Sequence, residues 1–550
     1  MSKSFEALSQ EVALQFLQNV VVVDDRAYLR ESDRIEAHPG LNVPGLNPKI
    51  SPLGPDASTE GDSTHDLNAK LLIDLFADKG LICSVLTPRY KEDFEEKVIR
   101  SSERADIVIL DWQLQGKMSP EVNATGVISK ILAGEKSHDR IRLIAIYSAE
   151  KPLEISDKIE EALKNSGSFS KQDDYTFVQD AARICVFAKE DTKGADATRI
   201  VKEIDIPTRL IDEFTKMTMG LLSNAALGSM AAIRKNAHRI IGKFPPSLDA
   251  PYLSHRALMT PSEEAESHIV PLIVSEIQSV LEDKRITEYL SQDYIDSWIS
   301  SHANILSLCK RMGIATVDDA KKALHDLIIN GICKETTSAS HPDWGLFLKL
   351  LKDDENSATL SKLTDILTQD GNSGNISDRR LAYLMSVCSH YENTTPILSL
   401  GSIIQDAGDN GRYYLCVQPL CDSVRLEGKR MFPFLRMIEA DSSGAKDFGF
   451  IVPEAGGNLI ALRLNLRPHQ SKMFGFRPKT GEGVITAYRE GDNWIFNGYA
   501  DDKEAIKLIW VADLKPAHAQ RVANDYAREI SRVGLTESEW LRRQTSKMNR

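Results

Sequence analysis

Four short β-branched runs end in side chains able to do chemistry together. VVVVD closes on Asp24 and leads into Asp25, DIVIL into Asp111, LIAIY into Ser148, and RICVFA into Lys189. Three carboxylates brought to one place repel one another and require a cation, for which a hard divalent ion with oxygen ligands, Mg2+, is the natural answer. With part of its charge neutralised, Asp111 would act as a carboxylate nucleophile toward phosphorus and form an acyl phosphate. Lys189 would neutralise phosphoryl oxygens as a point charge, and Ser148 would supply a hydrogen bond that exists only when phosphate is present. Such a contact makes a switch.

The elements that would position these residues are legible as strand-like runs at 20–24, 81–86, 106–110, 143–147 and 183–188, of the kind buried on both faces. Amphipathic helical stretches at 66–79, 91–101, 122–133 and 155–164 separate them. The alternation predicts an α/β doubly wound, five-stranded parallel sheet of the flavodoxin type, which gathers functional groups past the carboxyl ends of its strands. Residues 30–65, rich in Pro, Gly, Ser and Asp and without periodicity, read as a long loop inserted after the first strand.

At VVVDDRA, DIVILDWQL, IAIYSAE and CVFAKED, in that order, the chain resembles the receiver domain of two-component response regulators. It is similar in particular to the enlarged receiver-like domains of bacterial defence-type gene clusters found beside histidine-kinase-like ATPases. The resemblance spans about the first 220 residues. It implies Asp24 and Asp25 as the acidic metal pair, Asp111 as phosphoacceptor, Ser148 as switch hydroxyl, Lys189 as the phosphate-binding lysine, and Gln113 as a metal ligand through its backbone carbonyl. It further implies Mg2+ as cofactor and a histidine-kinase-like ATPase as phosphodonor. Each residue alone also has a plain reading, since a strand-terminal Asp is commonly a turn former or helix cap. An aspartyl-phosphate hydrolase would place a second Asp two residues after the nucleophile, where this chain has Gln113; a metal nuclease would need a Glu-x-Lys or a His-rich helix nearby.

The remaining sequence sets the context. The chain has 550 residues, too many for one core, and its 42% hydrophobic and 27% charged content is that of a globular protein. A formal charge of −12 argues against a molecule built to coat nucleic acid or anionic membrane. Seven scattered cysteines fit reduced thiols rather than a disulfide framework or zinc ribbon. The polar N-terminus lacks the layout of a signal peptide, and residues 217–233 are too short and too diluted to span a bilayer, so a cytoplasmic location is expected. The expected organisation is a receiver-like domain (1–206), a long connecting helix (207–244), an α-helical middle domain (245–390), a β-rich domain (391–515) and C-terminal helices (516–550).

Three weaker signals lie outside the receiver. Leu210, Phe214, Met217 and Leu221, followed by small Ala225, Gly228 and Ala232, form a helical stripe that would suit a homodimer seam or packing within the chain. Arg463, Arg467, His469, Lys472, Phe474, Phe476, Arg477 and Lys479 mix basic and aromatic residues as single-stranded nucleic-acid binders do; a solvated β face beside core aromatics is the plainer alternative. Cys416 and Cys421 make at most a metal half-site, and residues 527–543 could be drawn as a helix-turn-helix or as a terminal helix docked on the β domain. The expectation is a response-regulator-like phosphorelay protein with no independent enzymatic site. The alternative is a nucleic-acid-binding regulator or scaffold whose receiver is degenerate and unphosphorylated.

Overall fold

The computed structural model describes residues 3–24, 27–28, 67–87, 94–114, 120–135, 140–164, 169–179, 181–259, 262–302, 316–331, 364, 367, 374–391, 394–408, 411–440, 449–454, 458–500 and 504–531. The inserted segment after the first strand and the second expected C-terminal helix fall outside these residues. The chain divides into two compact units, Met1–Lys243 with Val274–Trp298, and Phe244–Ile273 with Ile299–Arg550.

The first unit opens with α1 (Phe5–Phe16), a helix for which the sequence reading had assigned no element; the Ser4 hydroxyl caps it by accepting the Ala7 N–H at 3.2 Å. There follow β1 (Asn19–Val23), α2 (Ala69–Asp78), β2 (Ile82–Leu86), α3 (Phe94–Ser102), β3 (Ile107–Leu110), α4 (Pro120–Glu135), β4 (Arg142–Ser148) and α5 (Pro152–Leu163). A hairpin of β5 (Phe169–Asp173) and β6 (Thr176–Gln179) leads into β7 (Ala182–Ala188). The sheet order is β2-β1-β3-β4-β7-β6-β5. Strands β2, β1, β3, β4 and β7 pair in parallel, whereas β6 and β5 run antiparallel. The sheet is therefore mixed and seven-stranded, not the five-stranded parallel sheet expected. The hairpin escaped notice because FSKQD and TFVQ are short and half polar, as an edge ribbon tolerates.

Side chains alternate along each strand into two layers. Val20, Val22, Ile109, Ala145, Tyr147 and Phe187 share one core with Phe16 of α1 and Phe76 of α2. Val21, Val23, Val108, Leu110, Ile146 and Val186 share the other with Val98, Ile128 and Ile159 from α3, α4 and α5. Both faces of the sheet are covered, which is why its strands read as unbroken hydrophobic runs.

The stretch expected as one long helix is three: α6 (Ile206–Thr218), α7 (Leu221–Lys235) and α8 (Ala237–Ile241). Met219 turns extended and Gly220 breaks the ladder; both halves pack on α1, α6 also on the sheet and α7 also on the turn Ile286–Leu290. Leu210 and Phe214 enter the core beneath the sheet, where Phe214 stacks on Phe16 at 6.0 Å; Asn224 of α7 instead donates to Ser9 of α1 at 3.0 Å. The stripe considered for a dimer seam is thus largely spent inside the chain's own fold, with Leu210, Phe214 and Gly228 buried. A buried ion network fixes α6 to β7, since Glu213 faces Arg183 at 3.0 Å and Lys216 at 2.8 Å. Burial opposes ionisation of Glu213, but the Lys216 hydrogen bond and the two cationic charges outweigh it and hold the carboxyl below its ordinary range.

Helices also follow in the region expected to be helical: α9 (Asp249–Leu258), α10 (Ile269–Asp283), α11 (Gln292–His302), α12 (Val317–Asn330) and α13 (Gly374–Ser386). Between 332 and 373 only residues 364 and 367 are described. None of the described helices is long and apolar enough to cross a membrane.

The C-terminal region is a closed antiparallel barrel. Its strands are β8 (Ser402–Asp406), β9 (Arg412–Cys416), β10 (Arg430–Glu439), β11 (Gly449–Pro453), β12 (Leu459–Leu464), β13 (Lys472–Phe476), β14 (Tyr488–Glu490), β15 (Asn493–Ala500) and β16 (Glu504–Asp513). The path β10-β13-β15-β16-β8-β9 returns to β10 through the β9–β10 pairing, which removes the exposed edges; β11, β12 and β14 are annexes. Phe432, Phe434, Phe474, Phe476 and Phe496 fill one core, and Leu435, Met437, Val452 and Leu462 form another with Ala519 and Val522 of α14 (Pro516–Ile530). That helix docks on the β domain. Phe474 and Phe476 are fully buried, so the aromatic half of the considered nucleic-acid surface is barrel core and cannot stack on bases. Cys416 is likewise interior, its thiol pushed up to about 12 by burial, while Cys421 is exposed.

Candidate functional site

The site lies past the carboxyl ends of the parallel strands. Between β1 and β3 the strand order reverses, with β2 to one side of β1 and the later strands to the other, and this is where such sheets bind ligands. Asp24 and Asp111 follow those two strands. Each site residue is held by one further hydrogen bond beyond its own strand. Asp24 N–H donates to Leu86 O at 3.2 Å, Asp111 N–H to Val23 O at 2.8 Å, and Lys189 N–H to Ser148 O at 2.9 Å. Neighbouring strands thereby fix the backbone from which the side chains project.

Lys189 reaches past the end of β4 to both carboxylates. Its Nζ stands 3.1 Å from Asp24 Oδ2 and 3.7 Å from Asp111 Oδ2. Asp24 is 2% exposed, Asp111 6%, Ser148 1% and Lys189 7%. Burial at this depth is tolerated for charges only when they are paired. Ser148 is the last residue of β4, and its Oγ accepts the Glu150 N–H at 3.3 Å. Three of the residues picked from the sequence therefore meet through their side chains, and Ser148 adjoins Lys189 through its backbone. Asp25 lies outside the described residues. Gln113 is exposed and its side chain donates to Glu150 Oε1 at 2.6 Å.

Sequence reasoning missed Tyr147 and Trp112. The Lys189 ammonium lies 5.7 Å from the centroid of the Tyr147 ring, and the Tyr147 hydroxyl donates to Val201 O at 2.9 Å. Burial first, then the charges of Glu203, Glu190, Asp24 and Asp111, push the Tyr147 phenol well above its ordinary value, so it stays neutral. The aromatic partner of the lysine comes from β4, next to Ser148, which only strand pairing could reveal. Trp112 is completely buried directly after Asp111.

Among the described residues, no three His, Cys, Asp or Glu side chains cluster as a metal site. The donor chemistry still suits Mg2+. Asp24 and Asp111 bring two buried carboxylates to one ammonium, and Mg2+ is ordinarily bound by one or two carboxylates completed by water and substrate oxygens.

An α/β sheet with an Asp–Asp–Lys–Ser cluster at its carboxyl edge defines the receiver class. Residues 16–194 match the family model described as Response receiver domain, and this N-terminal part of the chain is a receiver domain. No curated protein and no solved structure matches the chain.

Proposed function

We propose that the protein is a response-regulator-like signalling protein in which Asp111 accepts a phosphoryl group from a histidine-kinase-like partner. The observation that carries this reading is the meeting of Asp24, Asp111 and Lys189 through contacts of 3.1 and 3.7 Å, all three buried, with buried Ser148 at the end of β4, whose backbone O accepts the Lys189 N–H. In the transfer, an Asp111 carboxylate oxygen attacks the phosphorus of a phosphohistidine. The P–N bond breaks, the imidazole leaves with its electron pair and takes up a proton, and an acyl phosphate forms. Lys189, already beside Asp111, offers its ammonium to the new phosphoryl oxygens, and the Ser148 hydroxyl donates to one of them. Asp24, Asp111 and the Gln113 carbonyl would hold Mg2+, with Asp25 as a further ligand. Bound there, the ion would neutralise charge on the transferring group.

The product exchanges the Lys189–Asp111 pairing for a dianion beside Ser148, at the end of the strand that also carries Tyr147. A signal leaving this point has the barrel and middle helices as its output, and the placement of the system in a defence-type gene cluster rests on the sequence resemblance. Beyond self-phosphorylation, no enzymatic activity is proposed. The test is the intact mass of the full chain after incubation with Mg2+ and acetyl phosphate. One added phosphoryl group, lost in Asp111→Asn, is expected; an equal gain in that variant removes Asp111 from the mechanism.

A further inference from the structure

At the opposite end of β1 from the carboxylates, α1, α7 and the turn of 3-10 helix Ile286–Leu290 enclose an open cleft of about 510 Å3, within the range of small-molecule sites. Among the described residues its charged lining is cationic, Arg234, Lys235 and Lys284, in a chain whose formal charge is −12. Asp283, adjacent to Lys284, is shared with Arg239 at 2.8 Å and Lys284 at 3.2 Å, so part of the positive charge remains. The cations are not needed to finish α7. Its last carbonyls are taken by the backbone N–H of Asn236 and, at Ala232 O, by the Asn236 side chain at 2.8 Å. Arg234 is oriented by a 2.9 Å hydrogen bond to Phe16 O and by stacking on the Phe16 ring.

The walls are fixed by a close approach. Gly228 lets the Tyr289 ring lie directly on α7, where a Cβ would fall 2.3 Å from it, and the Tyr289 hydroxyl donates to Gln15 Oε1 at 3.0 Å. Gln18 adds a second amide, and Ala231, Ala232 and Ile286 give an apolar surface. Cations and amides around a small flat apolar floor match a ligand with phosphate at one end and a ring at the other.

We infer that this cleft binds a phosphate-bearing small molecule of nucleotide type, at a site separate from Asp111. The probe is ADP, titrated calorimetrically into the full-length protein in Mg2+-free buffer, with adenosine as the uncharged comparison. Expected are saturable ADP binding, none or far weaker for adenosine, and an unchanged isotherm in Asp111→Asn. Lys235→Ala and Lys284→Ala, both at exposed positions, should each weaken binding about tenfold as one charge-assisted contact is lost. Absence of saturable ADP binding, equal binding of adenosine, loss of binding in Asp111→Asn, or an ADP isotherm indifferent to the double lysine variant would each overturn the inference.

Discussion

Removing Lys189 and removing Asp111 should have opposite consequences for the stability of the metal-free receiver. At an effective dielectric near 20, the 3.1 Å and 3.7 Å contacts correspond to attractions of about 5 and about 4.5 kcal/mol. The two carboxylate oxygens are at most about 6.8 Å apart, the two contacts laid end to end, so their mutual repulsion is at least about 2.4 kcal/mol. Asp111→Asn gives up the weaker attraction but also removes that repulsion and the several kcal/mol of desolvation that a buried carboxylate carries, leaving a neutral Lys189–Asp24 pair. Its stability should equal or exceed that of the native chain. Lys189→Ala takes the ammonium away from two buried carboxylates and should cost about 3–5 kcal/mol. Hydrogen exchange of β1, β3 and β7 peptides in the full-length chain, in chelator, reads the local free energy directly. Native-like protection in Lys189→Ala, or a larger loss in Asp111→Asn than in Lys189→Ala, would refute the reasoning.

Two further outcomes follow from packing and burial. Gly228→Ala in α7 would ordinarily gain about 0.5–1 kcal/mol of helix propensity, yet the 2.3 Å approach to the Tyr289 ring should reverse the sign to a loss of about 1–3 kcal/mol. In a Tyr289→Ala background the same substitution should become stabilising, and denaturant midpoints of the four variants test this cycle. In the barrel, burial raises the Asp513 carboxyl above its ordinary value against the opposing hydrogen bonds of Ser402 and Trp510 and the charge of His390. A raised folded value means stability is fully present below the unfolded value of about 3.9 and lost as pH rises through the folded one. Asp513→Asn, which keeps an acceptor for the Trp510 N–H now at 3.2 Å, should therefore stabilise the barrel at neutral pH, with the gain vanishing toward about pH 3. Thermal midpoints at the two pH values would show it; a gain that persists in acid contradicts the assignment.

The candidate site was legible because its residues sit at the ends of strands buried on both faces. Runs such as VVVVD and DIVIL announce both the strand and the point where it stops, so Asp24, Asp111, Ser148 and Lys189 could be named without coordinates. The order of parallel strands then makes their meeting unavoidable. Elements of ambiguous pattern were harder to read. The antiparallel hairpin that widens the sheet is short and half polar, and the break at Met219–Gly220 separates a helix that packs on both the sheet and α1 from one that packs on α1 and the turn Ile286–Leu290. Basic and aromatic residues from Arg463 to Lys479 fit either a binding surface or a solvated face beside core aromatics, because spacing along a strand does not say which face is interior; barrel closure through β9 and β10 decided that Phe474 and Phe476 are core. Tyr147 beside Lys189, and Gly228 beneath Tyr289, are contacts between residues distant in sequence. Local pattern thus determined which strands form and which side chains end them. Tertiary packing decided which neighbours those side chains meet, since burial and Coulomb interaction act through space and not along the chain.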